Sequence, residues 1–338
     1  MSIIFSQASG VADSIFGKSQ EPIKAIITEQ VESFEAVSVI DKLFYMDKSK
    51  NYSEKYTIET SLGDFEPVGE NGAYPKTSIQ EGFSKVIEPE TWKSSFEVTQ
   101  EMIEDAKIGK IKSRAKQFTT SYGRTREKYA AELIAAGTGK TMKIKGKTFD
   151  VTCADNTPMF NAAHPSAIPG SKLVQSNLFK AAFNRKVLNK VQEMMQKFKD
   201  DNGNILNVMP DTIIIPNDGE LKDLVYAAVG SELDPNTPNN AWNFQVGLWN
   251  VIVWNYLPAT LNGESYFLMA DSKFLQDYMC MPFVDRVDLT VDSYIDNNTD
   301  ANVFKGRARF AAGLNNWRGI ALCGMGFTNG TDLTELNG

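Results

Sequence analysis

Hydrophobic positions in the first part of the chain predict two helices separated by a long hairpin. Between residues 17 and 46, apolar residues recur every three or four positions, which is the period of an amphipathic helix. From 47 to 98, polar residues alternate with apolar or aromatic ones around a tip rich in Gly, Asn and Pro, which predicts an extended β-hairpin. The helical period resumes from 99 to 136 after the capping residue Thr99, and predicts a helix approaching about 57 Å in length.

The pattern after residue 140 predicts a β-rich domain that is interrupted by an α/β unit. Residues 140–175 alternate as strands do and then become loop-like. Residues 176–275 begin with a helix expected to open at Ser176 and continue as alternating strands and helices, which indicates a compact α/β unit. Residues 276–338 are again strand-like, and we expect them to return and pair with residues 140–165.

The stretch AGTGKT at residues 136–141 raises the question of a phosphate-binding loop. The pattern G-x-x-x-x-G-K-[ST] needs a glycine at position 134, where the sequence has Ile134. A helical run precedes the stretch and a strand-like run follows it, which reverses the order that a phosphate loop requires. We therefore predict that Gly137 and Gly139 end a helix and turn the chain.

Few residues suit catalysis or metal binding. Three cysteines, Cys153, Cys280 and Cys323, lie too far apart for a zinc cluster or a disulfide framework. The only histidine, His164, precedes Pro165 and is expected to be an extended, structural residue. The aspartates between 285 and 300 lack the spacing of a calcium loop. We predict no catalytic, cofactor or metal site, and we expect a cytoplasmic protein because neither a signal peptide nor a membrane span is evident.

Charge is distributed unevenly along the chain. The net charge is -7, yet residues 107–147 hold twelve Lys and Arg against two Glu, a local balance of +10. This predicts a surface for an acidic protein, nucleic acid or another copy of the chain, although a solvated helix face would give the same pattern. The residues expected to form that surface are Lys107, Lys110, Lys112, Arg114, Lys116, Arg124 and Arg126.

The predicted hairpin is acidic, with ten Asp and Glu against six Lys in residues 47–97. It also contains large apolar side chains that would have no core of their own, and which we expect a neighbouring subunit to bury. These candidate intersubunit contacts are Phe65, Tyr74, Phe83 and Trp92.

Several motifs follow one another in a recognisable order through the second half. They are Met159-Phe160 followed by His164-Pro165, a helix ending in Asp200-Asp201-Asn202-Gly203, NVMPDTIIIPND at 207–218, SELDPNTPNN at 231–240 and VWNYLPAT at 253–260. Together with the order of elements, they resemble the major capsid proteins of tailed bacteriophages with the Hong Kong 97 fold. Within that group they are most similar to the Mu-like prophage major head subunit family.

The resemblance implies an α+β protein with a defined domain order. Its parts would be an N-terminal arm (1–46), an extended loop (47–98), a peripheral domain (99–175) with a spine helix (99–136), an axial domain (176–275), and return strands with a C-terminal tail (276–338). The loop expected at the capsomer centre contains Asp234, Asn236, Asn239 and Asn240.

The resemblance also implies a structural, non-enzymatic function without cofactors. Pentamers and hexamers of the chain would form an icosahedral shell around double-stranded DNA, assembled in the host cytoplasm and located in the virion. Expected partners are other copies of the chain, a portal, a decoration protein and DNA bound without sequence specificity. A separate scaffolding protein is also expected, because relatives with a fused scaffold carry additional residues ahead of the arm.

Three alternatives remain at this stage. Some capsids of this fold form Lys-Asn isopeptide bonds, for which the candidates here are Lys76 or Lys85 with Asn297, Asn298, Asn315 or Asn316. An encapsulin-type compartment would share the fold but enclose a cargo enzyme. A soluble α/β enzyme could use residues 176–275, although a nucleotide fingerprint and a nucleophile elbow are both lacking.

Overall fold

The computed structural model contains two main β-sheets and one long helix. It describes residues 3–5, 26–27, 29–31, 34, 38–59, 65, 67–70, 73–74, 76, 81–105, 108–230 and 243–337. The strands are β1 (Ile3–Phe5), β2 (Tyr45–Lys48), β3 (Glu54–Glu59), β4 (Glu81–Ile87), β5 (Glu90–Val98), β6 (Thr141–Ile144), β7 (Lys147–Asp150), β8 (His164–Pro165), β9 (Val174–Gln175), β10 (Leu178–Lys180), β11 (Thr212–Pro216), β12 (Asn250–Trp254), β13 (Tyr266–Ala270), β14 (Pro282–Asp296), β15 (Ala301–Ala312), β16 (Ile320–Gly324) and β17 (Thr331–Asp332). The helices are α1 (Ile40–Leu43), α2 (Gln100–Glu104), α3 (Ile108–Ala135), α4 (Arg185–Gln196), α5 (Gly219–Gly230) and α6 (Ser272–Asp277), with short 3-10 turns at Ala136–Thr138, Trp317–Gly319 and Thr334–Leu336.

The first sheet, which we call the peripheral sheet, has the order β1-β14-β15-β5, and β2 also pairs with β14.

The prediction of a helix that extends to residue 46 is wrong at the C-terminal end of that helix. Helix α1 ends at Leu43, Phe44 is extended, and β2 then pairs in parallel with β14. Backbone hydrogen bonding of residues 45–48 to β14 outweighs the helical preference that their local sequence pattern indicates. Residues 26, 27, 29–31 and 34 are helical, whereas residues 17–25 lie outside the described part.

The predicted hairpin forms between β3 and β4, which pair antiparallel from Glu54 opposite Ile87 to Glu59 opposite Glu81. Strand β5 does not belong to it, because β5 pairs antiparallel with β15 in the peripheral sheet. Aromatic residues explain this pairing. Phe96 lies opposite Phe304 with the two rings stacked at 4.9 Å, and cross-strand aromatic pairs of this kind stabilise a sheet.

The second sheet, which we call the axial sheet, has the order β12-β11-β13-β16-β10-β17. It includes the strands predicted in residues 176–275, but β16 and β17 come from the C-terminal segment. The expected pairing of that segment with residues 140–165 is therefore wrong. Every residue of β16 is buried and most are apolar, which suits a central strand between β13 and β10.

The helix expected to open at Ser176 begins later, at Arg185. Strand β10 precedes it, and Asn184 caps α4 by accepting a hydrogen bond from the Val187 backbone N–H over 2.8 Å. The helix also ends earlier than its sequence pattern suggests, at Gln196. For α5 the sequence offers Asn217 or Asp218 as the capping residue, and the cap is Asp218, since its Oδ1 accepts from the Glu220 N–H at 3.2 Å.

The long helix is divided into α2 and α3, with Gly109 close to the start of α3. Helix α3 has 28 residues and therefore spans about 42 Å. It ends at Ala135, and a 3-10 turn leads into β6. A Cβ atom at Gly137 would lie 2.9 Å from the Phe160 ring, so this glycine lets the ring pack against the helix end. The prediction that AGTGKT is a helix end followed by a turn is confirmed. None of the helices in the described part of the chain is long and apolar enough to cross a membrane.

Candidate assembly surface

A groove runs along the exposed side of α3 next to strand β5. Strand β5 pairs with β15 on one side only, so it forms an edge of the peripheral sheet as far as the structure describes it. Three adjoining depressions of about 90, 240 and 520 Å³ follow this edge. Ser94, Phe118 and Ser121 line two of them, and Trp92, Thr125 and Lys145 also line two, so the depressions form one continuous groove. We call it the α3–β5 groove.

Exposed cations line the α3–β5 groove along its length. They are Lys93, Arg114, Arg124, Lys128, Lys143 and Lys145. The acidic side chains in the lining are Glu97 and Glu132. The guanidinium of Arg114 donates to the backbone carbonyl of Glu97, so it binds the edge of the sheet without losing its charge. A groove with this excess of positive charge favours an acidic partner.

Aromatic rings form the base of the groove. The Trp92 indole stacks on Phe310 at 5.0 Å, and its Nε1 donates to the Phe310 carbonyl at 3.2 Å. The expectation that Trp92 has no core of its own is therefore wrong, because β5 brings it against β15 of the same chain. Of the other predicted contact residues, Phe83 is half-buried, whereas Phe65 and Tyr74 are fully exposed.

Most of the predicted basic residues are exposed, as expected for a charged surface. These are Lys110, Lys112, Arg114, Lys116 and Arg124, while Lys107 lies outside the described residues. Only Arg114 and Arg124 line the α3–β5 groove. Four further lysines of the groove, Lys93, Lys128, Lys143 and Lys145, are not among the predicted surface residues, although the last three belong to the same basic run.

The prediction that Arg126 belongs to the basic surface is wrong, because this side chain is buried. Its guanidinium forms two hydrogen bonds with the Asp285 carboxylate, at 2.5 and 2.9 Å, and lies 4.5 Å from the Phe283 ring. A sequence signal exists for this burial: Arg126 follows Tyr122 by four residues and precedes Tyr129 by three, which places it on the apolar stripe of α3.

The base of the β3–β4 hairpin is fixed to the body of the same chain. Lys85 Nζ donates to Asp150 Oδ2 at 2.7 Å and to Thr152 Oγ1 at 3.0 Å. Burial alone would raise the pKa of Asp150, but the hydrogen bond from Lys85 and those from Thr152 outweigh it and lower that pKa. Lys85 is thus engaged as a donor within its own subunit, which disfavours it as a cross-linking nucleophile.

The other cross-linking candidates differ in accessibility. Lys76, Asn297 and Asn298 are exposed, while Asn315 and Asn316 are buried.

Burial raises the pKa of the Cys153, Cys280 and Cys323 thiols, so these cysteines are unreactive. Among the described residues, no group of His, Cys, Asp and Glu could hold a metal ion. The candidate capsomer-centre residues Asp234, Asn236, Asn239 and Asn240 lie outside the described part.

The fold is shared with solved phage capsids. Over 85% of this chain and 86% of the other, it is similar to a subunit of the mature capsid of bacteriophage PhiM1, with a TM-score of 0.52 and 11% identity. The capsid of cyanophage P-SCSP1u gives a TM-score of 0.50, 11% identity, and coverage of 85% and 87%. A virus-like particle from Pyrococcus furiosus gives a TM-score of 0.48, 11% identity, and coverage of 90% and 98%. The likeness to the two phage capsids shows that the mixed α+β architecture is that of the Hong Kong 97-type capsid proteins.

The family follows from the sequence itself. Residues 82–323, from β4 to β16, match the model of the family described as phage capsid protein. The chain belongs to this family, and it is accordingly a structural protein of a virion capsid. A search of curated proteins gives no match.

Proposed function

We propose that the chain is the major head subunit of a tailed bacteriophage or prophage of the Mu-like branch. Pentamers and hexamers of it form an icosahedral shell that encloses double-stranded DNA. In this proposal residues 1–46 are the arm and the hairpin is the extended loop. Residues 99–175, with α3 as spine helix, form the peripheral domain together with β14 and β15, and residues 176–275 form the axial domain together with β16 and β17. Assembly takes place in the host cytoplasm with a separate scaffolding protein, a portal and a decoration protein.

The observation that carries the proposal is the cationic α3–β5 groove beside an open strand edge. The hairpin region of the same chain has an excess of acidic residues and exposes Phe65 and Tyr74. Opposite charge on two surfaces of one chain favours contact between different copies, because it steers and orients their encounter. We infer that the hairpin region of one subunit lies on the groove of a neighbour.

Two other partners fit the same groove chemistry, an acidic scaffold and the outer layer of packaged DNA. Contact with DNA would be independent of sequence and would weaken steeply with salt, since it neutralises phosphates alone. The loop with Asp234 and Asn236 is proposed to point toward the capsomer centre.

Electron microscopy of the purified full chain tests the proposal. The chain is imaged in negative stain, alone and after co-expression with a candidate scaffolding protein. Pentameric and hexameric rings or closed polyhedral shells are expected. A uniformly monomeric or dimeric protein, even with the scaffold, contradicts the proposal, and small empty shells formed without scaffold and associated with a cargo protein would indicate a compartment instead of a virus.

A further inference from the structure

Strand β5 has unpaired backbone groups along one side. It pairs with β15 alone. The Arg114 guanidinium donates to the Glu97 carbonyl from the groove, so the backbone groups of Glu97 point away from β15. Because these groups alternate between the two sides of an antiparallel strand, the N–H and C=O groups of Thr91, Lys93 and Ser95 point the same way. Within the part of the chain that the structure describes, no strand pairs with them, and such an edge is a template for strand addition.

Helix α3 provides a floor beneath this open edge. The widest part of the α3–β5 groove, about 520 Å³, lies between Ser95 and Glu97 of β5 and Phe118 and Arg124 of α3. Trp92 lines the adjoining part. An added strand would therefore lie over α3, with every second side chain directed toward the aromatic rings of Phe118 and Trp92. Those positions favour apolar side chains.

The opposite face of β5 carries unpaired positive charge. Phe96 packs on Phe118 of α3 with ring centroids 5.2 Å apart, so Lys93, an odd number of positions away, points to the other face. Lys93 lies directly opposite Arg307 of β15, and both side chains are exposed. Neither has an ion-pair partner among the described residues, and like charges directly opposite each other destabilise a sheet. An added strand with acidic side chains on this face would remove the repulsion.

A strand that suits both faces has an apolar side chain between two acidic ones. The sequence contains two such triplets, 64–66 (Asp-Phe-Glu) and 232–234 (Glu-Leu-Asp), and a proline follows each. Phe65 is fully exposed in its own subunit, and Lys85 fixes the base of its hairpin to the body of that subunit. The second triplet lies outside the described residues, as do Asp64 and Glu66. Phe65 favours the first triplet, because docking on another copy would bury a ring that its own subunit leaves in solvent.

We propose that residues 61–70 of a second copy add an antiparallel strand to the open edge of β5. The two acidic side chains lie on the outer face beside Lys93 and Arg307, and Phe65 enters the groove. In this arrangement the backbone groups of the acidic residues pair with β5, whereas those of Pro67 point away, so the missing N–H of proline costs no hydrogen bond. This inference rests on the proposed docking of the hairpin region on a neighbour's groove, and it specifies the contact as strand addition.

Disulfide trapping between differently substituted full-length chains tests the pairing. Chains with Lys93→Cys are mixed before assembly with chains with Glu66→Cys, together with the scaffold where assembly requires it, and are then oxidised mildly. The native cysteines are buried and do not compete. We expect a product of twice the monomer mass of 37.5 kDa on a non-reducing denaturing gel, from the mixture and from neither variant alone. Asp64→Cys is tested in parallel, since it occupies the neighbouring position on the same face.

The control mixture replaces Glu66→Cys with Asp234→Cys from the second triplet. A product from this control, or from Lys93→Cys alone, overturns the proposal in favour of the loop at 231–240 or of two β5 edges that pair with each other. Shells that form without any product overturn strand addition and leave the capsid function standing. A product from small oligomers that never close into shells supports strand addition and contradicts the capsid function, and a chain that remains monomeric contradicts both.

Amide hydrogen exchange of the wild type decides if the cysteine variants do not fold or assemble. On assembly, the amides of Lys93 and Ser95 should exchange at least about tenfold more slowly. Those of Trp92 and Ser94 should change little, because they already bond to β15. Equal change in both sets overturns the proposal, and protection that appears only while the scaffold is bound assigns the edge to a scaffold segment instead.

Discussion

The indole Nε1 of Trp254 donates a hydrogen bond to Glu127 Oε2 over 2.7 Å, and both side chains are buried. The other carboxylate oxygen of Glu127 accepts from the Ser38 hydroxyl at 2.6 Å and from the Val39 backbone N–H at 3.0 Å. The preceding residue, Arg126, pairs with Asp285 of the peripheral sheet. Two adjacent residues of α3 thus fasten the helix to both sheets and to the segment before α1.

We predict that Glu127→Gln destabilises the subunit by about 2–3 kcal/mol. The carboxylate receives donors on both oxygens, and an amide would turn its own N–H groups toward one of them. Urea unfolding of the unassembled chain measures the change. The control is Glu132→Gln, which lies on an exposed position of the same helix and should change the free energy of unfolding by less than about 0.5 kcal/mol. Equal effects of the two changes would contradict the assigned role of Glu127.

Asp285→Asn should cost about 3–5 kcal/mol, because it leaves the buried Arg126 guanidinium without a counter-charge. Asp300→Asn provides a control on the connection between β14 and β15. Asp300 is exposed and has a φ of 49°, a conformation that asparagine adopts readily, so little change is expected there. Chemical denaturation distinguishes the two, and a stability loss below about 1 kcal/mol for Asp285→Asn would refute the importance of the pair.

Two glycines of α3 should respond in opposite directions to alanine. A Cβ at Gly123 would lie 2.5 Å from the Phe34 ring, so Gly123→Ala is expected to destabilise by about 1–3 kcal/mol. A Cβ at Gly109 would meet nothing within 4 Å, so Gly109→Ala should stabilise the helix by up to about 1 kcal/mol. Thermal unfolding of both variants checks the prediction, and stabilisation by Gly123→Ala would show that Phe34 does not pack there.

Stability at acid pH should depend on Asp155. Burial alone would raise the pKa of Asp155, but hydrogen bonds from His164 and Thr157 outweigh it and lower that pKa below the value of about 3.9 typical of an unfolded chain. Its contribution is therefore complete above that value and is lost as the pH falls through the lower, folded value. Unfolding temperatures below about pH 5 should fall less steeply for Asp155→Asn than for the wild type. The exposed Asp223 serves as the control, and Asp223→Asn should follow the wild-type profile.

Reversal of charge in the α3–β5 groove should impair assembly without unfolding the subunit. We expect the double variant Arg124→Glu/Lys128→Glu to form at least about tenfold fewer shells, as judged by light scattering and electron microscopy, because it opposes an acidic partner. The double variant Lys42→Glu/Lys273→Glu changes the net charge equally at exposed positions outside the groove and should assemble normally. Equal loss in both variants would point to net charge instead of a docking surface.

Local sequence patterns predicted which segments form helices and strands better than they predicted which strands pair with one another. The alternation in residues 54–59 and 81–87, the helical period of α3 and the capping role of Asp218 all operate within short stretches of chain. In contrast, the positions of β2, β5 and β16 depend on strands far away in sequence, and strand pairing is set by such neighbours more than by intrinsic preference. The same applies to the site: the basic run was visible, but only the fold separates Arg126 from the exposed cations, and only β5 brings Lys93 beside them.

The two sheets share no strand among the described residues, and this determines how a mechanical load would travel through the subunit. A pull on the peripheral sheet reaches the axial sheet through the covalent connections from β13 to β14 and from β15 to β16, and through the turn of α3 that carries Arg126 and Glu127. The Arg126–Asp285 ion pair and the Trp254–Glu127 hydrogen bond lie side by side on one turn of α3, so the same load strains both. A subunit built in this way shares tension among the two backbone connections, this helical turn and the hydrophobic core that is common to both sheets.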